Sequence, residues 1–211
     1  MIEKKIAELK MQFQLQKERE RISKDLHDNI GAQATALFYG IEGLEKENKT
    51  DKLIGLKETT QDMMDGLRET IWALGKGSIN ITSLSDRFKL FMKKIGKHYP
   101  NIKFSVEENI SLDKELTAEQ GLHVLRILQE ALNNAIKHAD AKNIYCIIES
   151  NNNISIKIKD DGKGMGEKTT SNFSDGNGMI NMQERIVIAG FDFNIKSDKE
   201  EGTEIILRTL A

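Results

Sequence analysis

The scarcity of proline constrains this chain's fold more than any other feature. Its 211 residues contain one proline, Pro100, and the first glycine is Gly31. Because proline and glycine most often end helices, nearly the whole chain is free to form long helices and paired strands. Residues 2–47 predict one helix of roughly 40 residues or more, since apolar residues recur there at helical spacing. Those residues are Ile22, Leu26, Ile30, Leu37, Ile41 and Leu44.

A helix this long needs a partner for its apolar stripe. Residues 51–74 predict that partner, because their apolar residues are again three or four positions apart, and the polar residues 45–50 form the connection. This is a helical hairpin, and a hairpin with one narrow stripe per helix completes its core by dimerising into a four-helix bundle. We therefore predict a coiled-coil signal helix over residues 1–20 and a dimerisation hairpin over residues 21–75.

A second domain is predicted over residues 80–211. It follows the sequence GKGSIN at residues 75–80, whose glycines and serine are typical of an interdomain hinge. The fold class is α+β, with the helical hairpin followed by an α/β sandwich whose mixed sheet is covered by helices on one face. Helices are predicted at residues 83–97, 117–138 and 179–189. Strands are predicted at residues 102–107, 143–150, 153–159, 191–197 and 203–210.

Composition excludes several classes of function. The chain has 31 basic and 33 acidic residues, so no overall positive field attracts it to nucleic acid. It contains no apolar run of about 18 residues, which argues against a membrane-embedded chain. The single cysteine, Cys146, forms no internal disulfide, which favours a reducing compartment. We therefore expect a cytoplasmic protein without a nucleic-acid partner.

The first motif that could perform chemistry is the His27-Asp28 pair in the first helix. At about 100° per residue, His27 lies roughly 80° from the apolar stripe, at its flank and within reach of solvent. A neighbouring carboxylate can orient an imidazole and raise its basicity, which a nucleophilic histidine requires. An ordinary charged helix face can contain the same pair, so the motif alone leaves both interpretations open.

The second motif lies in the predicted helix 117–138. Glu130, Asn134 and Lys137 or His138 are spaced so that they project from one helix face. A carboxylate, an amide oxygen and a cation in a row suit a magnesium-phosphate group. The alternative is a solvated face that ends in the cations favoured at a helix C-terminus.

Two glycine-rich segments complete the set of motifs. Asp160 ends a predicted strand, and Gly162 and Gly164 after it allow a ligand to approach the backbone closely, while the aspartate can accept a hydrogen bond from an exocyclic amine. Gly176 and Gly178 open a helix, where free backbone amides can hold phosphates. No G-x-x-x-x-G-K-[ST] sequence is present, so a bound nucleotide is not held by a P-loop. Each segment is also compatible with an ordinary turn.

In this order and spacing, the four motifs resemble the cytoplasmic core of two-component sensor histidine kinases. The resemblance covers residues 18–210 and is closest to the subfamily with a Leu-His-Asp-x-x-Gly dimerisation motif, NarL-type regulator partners and a GHKL-type ATP-binding domain. It implies that His27 takes the γ-phosphoryl group of ATP, with Asp28 as general base. It also implies a homodimer and a response regulator whose receiver domain accepts the phosphoryl group on an aspartate.

The resemblance further implies the residues that bind ATP and Mg²⁺. Asn134 and Glu130 would hold the metal, and Asp160 would accept the adenine amine. The implied nucleotide set is Glu130, Asn134, Lys137, His138, Asp160, Gly162, Gly164, Gly176, Gly178 and Thr203. Many members have glutamine five residues after the histidine, whereas this chain has Ala32 there, which argues against a phosphatase activity.

Two other functions remain compatible with the sequence. One is a catalytically silent, nucleotide-binding dimeric scaffold, which controls its partner by conformation alone. The other is an ATPase clamp of the same nucleotide-binding superfamily, which leaves no phosphoprotein. In either the kinase or the scaffold, a membrane-bound sensor region outside this chain could supply the signal.

Overall fold

The computed structural model describes residues 50–74, 77–164 and 177–210, together with scattered helical residues between positions 5 and 37. The chain divides into two compact units, Met1–Trp72 and Ala73–Ala211. No helix in the described residues is long and apolar enough to cross a membrane. The helices are α1 (Thr50–Leu74), α2 (Ile81–Gly96), α3 (Ala118–His138) and α4 (Asn177–Ala189), and the strands are β1 (Ser78–Asn80), β2 (Lys103–Ile110), β3 (Glu115–Thr117), β4 (Asn143–Ser150), β5 (Ile154–Asp160), β6 (Phe191–Asp198) and β7 (Gly202–Thr209).

Helix α1 corresponds to the second helix of the predicted hairpin. It begins one residue before the predicted start and ends at the predicted residue. Threonine side chains in it return hydrogen bonds to the carbonyl four residues earlier, as Thr59 does to Gly55 and Thr70 to Gly66. These bonds give the hydroxyl groups a partner within the helix, including that of Thr70, which is buried. Most of the first predicted helix lies outside the described residues, so the hairpin and the bundle stay predictions.

The second unit is built on a five-stranded sheet of order β2-β4-β5-β7-β6. Strands β2 and β4 are parallel, and the other three pairs are antiparallel. The sheet is therefore mixed, as predicted. The register places Ile158 of β5 between Cys146 of β4 and Ile205 of β7, so that three adjacent strands present apolar side chains on one face.

Helices cover that apolar face of the sheet. In β5 the alternate residues Ile154, Ile156 and Ile158 are buried, whereas Lys157 on the opposite face is paired with Glu204 of β7. Helix α2 contacts β2, α3 contacts β5 and α4 contacts β6. The core forms between them, because the period-2 pattern of the strands faces the apolar stripes of the helices. The predicted α+β sandwich is confirmed for this unit.

A small two-stranded sheet corrects the predicted hinge. Ser78–Asn80, which the sequence analysis assigns to the hinge, forms β1 and pairs antiparallel with β3. Ile79 in this strand is fully buried and packs so closely on Gly121 of α3 that a Cβ there would lie 2.8 Å from its Cδ1. Asn80 then caps α2 by accepting a hydrogen bond from the Ser83 amide. Strands of three residues are too short for a period-2 pattern to be visible in sequence.

Candidate functional site

Helix α3 provides the largest part of the candidate site. Thr117 and Gln120 form a capping box at its start, in which each side chain accepts from the other residue's backbone amide. Its apolar stripe is buried in the core. The adjoining face, at i, i+4 and i+8 spacing, carries Glu130, Asn134 and His138. The capping box and the buried stripe together fix which residues this face presents.

These residues line a cavity of about 380 Å³. Its walls come from α3, the end of β5, the loop after β5, the start of α4, and β7. The walls are apolar over most of their area, with a few polar groups among them, which is the usual character of a small-molecule site. The lining residues are Glu130, Ala131, Asn134, Ala135, His138, Ala139, Ile158, Asp160, Gly164, Gly178, Met179, Thr203 and Ile205.

Asp160 is the buried acid of this cavity. Its Oδ1 accepts hydrogen bonds from the backbone amides of Gly162 at 2.9 Å and Thr203 at 3.3 Å. Burial raises the pKa of the Asp160 carboxyl, and these two bonds oppose the shift. Within the described residues, both hydrogen bonds of the carboxylate go to Oδ1. Oδ2 is therefore the oxygen that can accept a hydrogen bond from a ligand amine in the cavity.

Asp161, the next residue, fastens the loop behind the cavity. Its Oδ1 accepts from the amides of Lys142 and Asn143, each at 2.8 Å, and its Oδ2 accepts from Asn143 Nδ2 at 2.6 Å. Partial burial would raise the pKa of Asp161, but these hydrogen bonds outweigh it and hold the pKa below its ordinary value. The carboxylate thus ties the end of β5 to the start of β4.

Two glycines bring the backbone close to the cavity walls. Gly164 has φ +62°, a conformation that favours glycine, and a Cβ there would overlap the Asp198 carbonyl oxygen. A Cβ at Gly178 would overlap Glu130 Oε1, so this carboxylate oxygen lies directly against the first turn of α4. The lack of a side chain at these glycines therefore allows other parts of the protein, as well as a ligand, to approach the backbone closely.

The structure brings together most of the residues that the sequence analysis selected. Lys137 is exposed and is not among the lining residues, and Gly162 lies behind the wall, against the Ala139 carbonyl oxygen. His27, Asp28 and Gly176 lie outside the described residues. The selected residues that line the cavity are Glu130, Asn134, His138, Asp160, Gly164, Gly178 and Thr203.

Sequence reasoning missed the apolar walls. Ala131, Ala135 and Ala139 repeat every four residues beside the polar series of α3, a spacing that could have identified them. Ile158 and Ile205 are neighbours across β5 and β7, and no local sequence pattern predicts that pairing. Together these alanine and isoleucine side chains form the apolar slot of the cavity.

The described residues fit a magnesium ion that is shared with a ligand. They contain no group of three or more His, Cys, Asp or Glu side chains that could hold a metal alone. Mg²⁺ is usually bound by one or two protein oxygens together with substrate phosphates and waters. Glu130 and Asn134, four residues apart on α3 and both lining the cavity, are a donor set of that kind.

Two family matches cover the two parts of the chain. The family described as "Histidine kinase-, DNA gyrase B-, and HSP90-like ATPase" (HATPase_c) matches residues 119–211, a range that contains every residue lining the cavity. The family described as "Histidine kinase" (HisKA_3) matches residues 18–78, a range that contains His27 and Asp28.

Individual proteins agree with these matches. The chain is 30% identical over 196 residues to "Sensor histidine kinase LnrJ" of Bacillus subtilis strain 168. The aligned region covers 88% of this chain and 46% of that protein. It is 25% identical over 216 residues to "Nitrate/nitrite sensor protein NarX" of Escherichia coli K12. That aligned region covers 95% of this chain and 34% of that protein. The chain thus spans half or less of the length of these relatives.

A solved structure shares the fold. The histidine kinase domain of the Erythrobacter litoralis EL346 blue-light activated histidine kinase matches with a TM-score of 0.56 at 17% identity. The match covers 83% of this chain and 95% of that domain. A HisKA_3 range is followed by a HATPase_c range, and the chain is therefore the HisKA_3 and HATPase_c core of a histidine kinase.

Proposed function

We propose that this chain is an ATP-dependent protein histidine kinase that phosphorylates His27 and passes the phosphoryl group to an aspartate of a response regulator. One observation carries the proposal: Asp160, Glu130 and Asn134 share a single apolar cavity in a chain that also contains the matched HisKA_3 region. The cavity would bind the nucleotide, and His27 would be the nucleophile.

Adenine binds in the apolar slot. The ring packs between the α3 alanines and Ile158 and Ile205, while Asp160 Oδ2 accepts from its exocyclic amine. The two backbone amides on Oδ1 hold the carboxylate in place, so the acceptor is oriented before ATP arrives. Thr203 contributes to this arrangement through its backbone, and its hydroxyl is paired with Ser197 Oγ at 3.0 Å.

The phosphates lie toward Glu130, Asn134 and Gly178. Asn134 and Glu130 would hold Mg²⁺, which offsets the charge of the β- and γ-phosphates when it is bound. His138 lines the same wall and can donate to a phosphate oxygen. The proposal gives Lys137 no contact inside the cavity, because that side chain is exposed on α3 and does not line the wall.

The transfer step joins the two regions of the chain. An imidazole nitrogen of His27 attacks the γ-phosphorus, the bond from that phosphorus to the β–γ bridging oxygen breaks, and ADP leaves. Asp28 takes the proton that the imidazole loses. In the second step, a regulator aspartate attacks the phosphohistidine, the P–N bond breaks, and the histidine regains a proton. A dimer supplies the bundle on which both steps take place.

Phosphorylation by labelled ATP tests the proposal directly. The purified chain is incubated with γ-labelled ATP and Mg²⁺ beside a His27→Gln variant, and protein-bound label is tested for stability to acid and base. We expect label that is lost in acid, stable in base and absent from the variant. Equal label in both proteins would exclude His27 as the nucleophile. ATP binding without any label would favour the silent scaffold, and turnover without label would favour the clamp ATPase.

A further inference from the structure

Besides the contact of Gly178 with Glu130 at the cavity, a hydrogen bond joins α3 and α4 at the opposite end of α4. At the start of α3, Gln120 Nε2 donates to the carbonyl oxygen of Ala189, the last residue of α4, at 3.1 Å. The other end of the same amide, Oε1, accepts from the Thr117 backbone amide at 3.0 Å. One side chain therefore caps the first turn of α3 through its oxygen and holds the end of α4 through its nitrogen.

Among the contacts between these helices, these two locate the two ends of α4 on α3. Gln120 and Glu130 are ten residues apart on α3, or about 15 Å at 1.5 Å per residue. Ala189 and Gly178, their partners on α4, are eleven residues apart, or about 16.5 Å. The helices thus run antiparallel, and the two spans match. Both ends of α4 are located against the same helix that carries the polar face of the cavity.

The contact at the cavity places Gly178 against the end of the Glu130 side chain, so a shift of α4 would displace this carboxylate. A Cβ at Gly178 would already overlap Glu130 Oε1. A movement of α4 by one residue along its axis would bring Asn177 or Met179 against that carboxylate. Met179 also lines the cavity, so the same movement would change the shape of the wall.

We propose that Gln120 is a positioning residue for the nucleotide site. By holding the end of α4 on α3, it keeps Gly178 and Met179 at the cavity wall, although Gln120 itself lines no part of the cavity. The role rests on the proposed function, because what it positions is the wall that receives ATP. Without the donor, the Ala189 carbonyl loses a hydrogen bond at a helix end, where carbonyl groups lack partners within the helix.

Two substitutions at this position separate the two bonds. Gln120→Glu keeps an acceptor for the Thr117 amide, and glutamate is itself favoured at this position of a capping box, but it has no donor for Ala189. Gln120→Lys keeps a donor for Ala189 and has no acceptor for Thr117. The two variants therefore test the interhelical bond and the cap of α3 independently, in the full 211-residue chain.

ATP affinity is measured by calorimetry with Mg²⁺, and stability by urea unfolding. We expect Gln120→Glu to bind ATP about threefold to tenfold more weakly and to lose the stability contributed by one hydrogen bond. We expect Gln120→Lys to bind ATP as the wild type does while losing stability. Hydrogen exchange of the α4 amides should be faster in Gln120→Glu than in Gln120→Lys.

The opposite order of affinities, or wild-type affinity in both variants, would overturn the role of Gln120. Thr117→Ala provides a check that needs neither variant to fold, because it removes the cap and leaves the Gln120 amide in place. It should lower stability and leave ATP affinity unchanged, and an equal loss of affinity would contradict the proposal. Wild-type protein that binds no ATP would instead refute the proposed function, and the positioning role with it.

Discussion

Asp160 and Asp161 are neighbours in the chain, yet the pKa values of their carboxyl groups shift in opposite directions. Asp160 is buried at the cavity wall, where desolvation penalises its charged form. Asp161 is an exposed residue whose carboxylate receives three hydrogen bonds, which favour the charged form. Because one residue is placed for a ligand and the other for the fold, their removal should have opposite effects on stability.

Replacing Asp160 by asparagine should weaken ATP binding without weakening the fold. The pKa of Asp160 is raised in the folded state, so the folded protein binds a proton more tightly than the unfolded chain. The free energy of unfolding therefore falls as pH rises from the ordinary value of 3.8 through the raised pKa. The uncharged amide of the Asp160→Asn variant avoids that cost but can turn a donor toward the adenine amine. We expect at least about tenfold weaker ATP binding by calorimetry.

The control for Asp160→Asn is the same urea titration at two pH values. At pH 7 the variant should be as stable as the wild type or more stable, and below pH 3.8 the difference should disappear. A variant that is less stable at pH 7 would show that the charged form of Asp160 supports the fold, contrary to the direction of its pKa shift.

Asp161→Asn should show the reverse dependence on pH. Its pKa is lowered by folding, so its contribution to stability is present above the ordinary value and is lost as pH falls through the lowered pKa. The variant replaces Oδ2 by a donor that faces Asn143 Nδ2. We expect a loss of at most about 1 kcal/mol in the free energy of unfolding at pH 7, since the group is largely exposed.

An exchanged pair provides the matched test for Asp161. The double variant Asp161→Asn with Asn143→Asp restores a donor opposite an acceptor, so urea unfolding should recover part of the lost stability. If the double variant is no more stable than Asp161→Asn alone, the hydrogen bond between these two side chains is not what stabilises the loop.

At the scale of elements, two glycines differ in the atoms they contact closely: one lies against backbone and the other against the end of a side chain. Gly202 at the start of β7 has φ +81°, and a Cβ there would overlap the backbone carbonyl oxygen of Asp160. The Cβ of Gly178→Ala would overlap only the end of the Glu130 side chain, which can rotate away. A clash with backbone cannot be relieved in this way, so the two substitutions should separate stability from binding.

Gly202→Ala should lower the free energy of unfolding by more than about 1 kcal/mol, because a side chain is strained at this φ and the contact is with backbone. Gly178→Ala should change stability by less than about 0.5 kcal/mol, yet bind Mg²⁺-ATP about tenfold more weakly, because Glu130 is displaced from its position. Urea unfolding and calorimetry on both variants measure this. Equal stability losses would contradict the contrast.

At the scale of the whole molecule, the two units have different structural requirements. The second unit buries its own core between sheet and helices. Helix α1 of the first unit has a narrow apolar stripe, for which the predicted dimer supplies further partners. The stability of the first unit should therefore depend on protein concentration, whereas that of the second should not.

Polar substitution at both Leu37 and Leu67 should dissociate the dimer. Each leucine belongs to the apolar stripe of its predicted helix, so replacement by glutamine removes apolar area from the bundle core. Sedimentation equilibrium should then report the 23.9 kDa chain instead of twice that mass. Leu90→Gln is the control, since this leucine is 61% exposed in the second unit. An unchanged dimer in the double variant would refute the bundle.

The amino-acid sequence by itself determined most of the element order. Helical and period-2 spacing are local, so α3 is predicted to within one residue of its start and β4 with both of its ends. The same locality explains why the sequence predicts which motif residues share one face of α3. Glu130, Asn134 and His138 depend only on the geometry of a single helix.

Only the tertiary structure decided which of these residues meet and what surrounds them. The Asp160 carboxylate is held by Thr203, 43 residues away, and Gln120 reaches Ala189 across 69 residues. Three further findings have the same origin in the tertiary structure. They are the position of Lys137 outside the cavity, the pairing of β1 with β3, and the opposite pKa shifts of two adjacent aspartates. They depend on packing and desolvation between distant segments, which no local pattern of residues encodes.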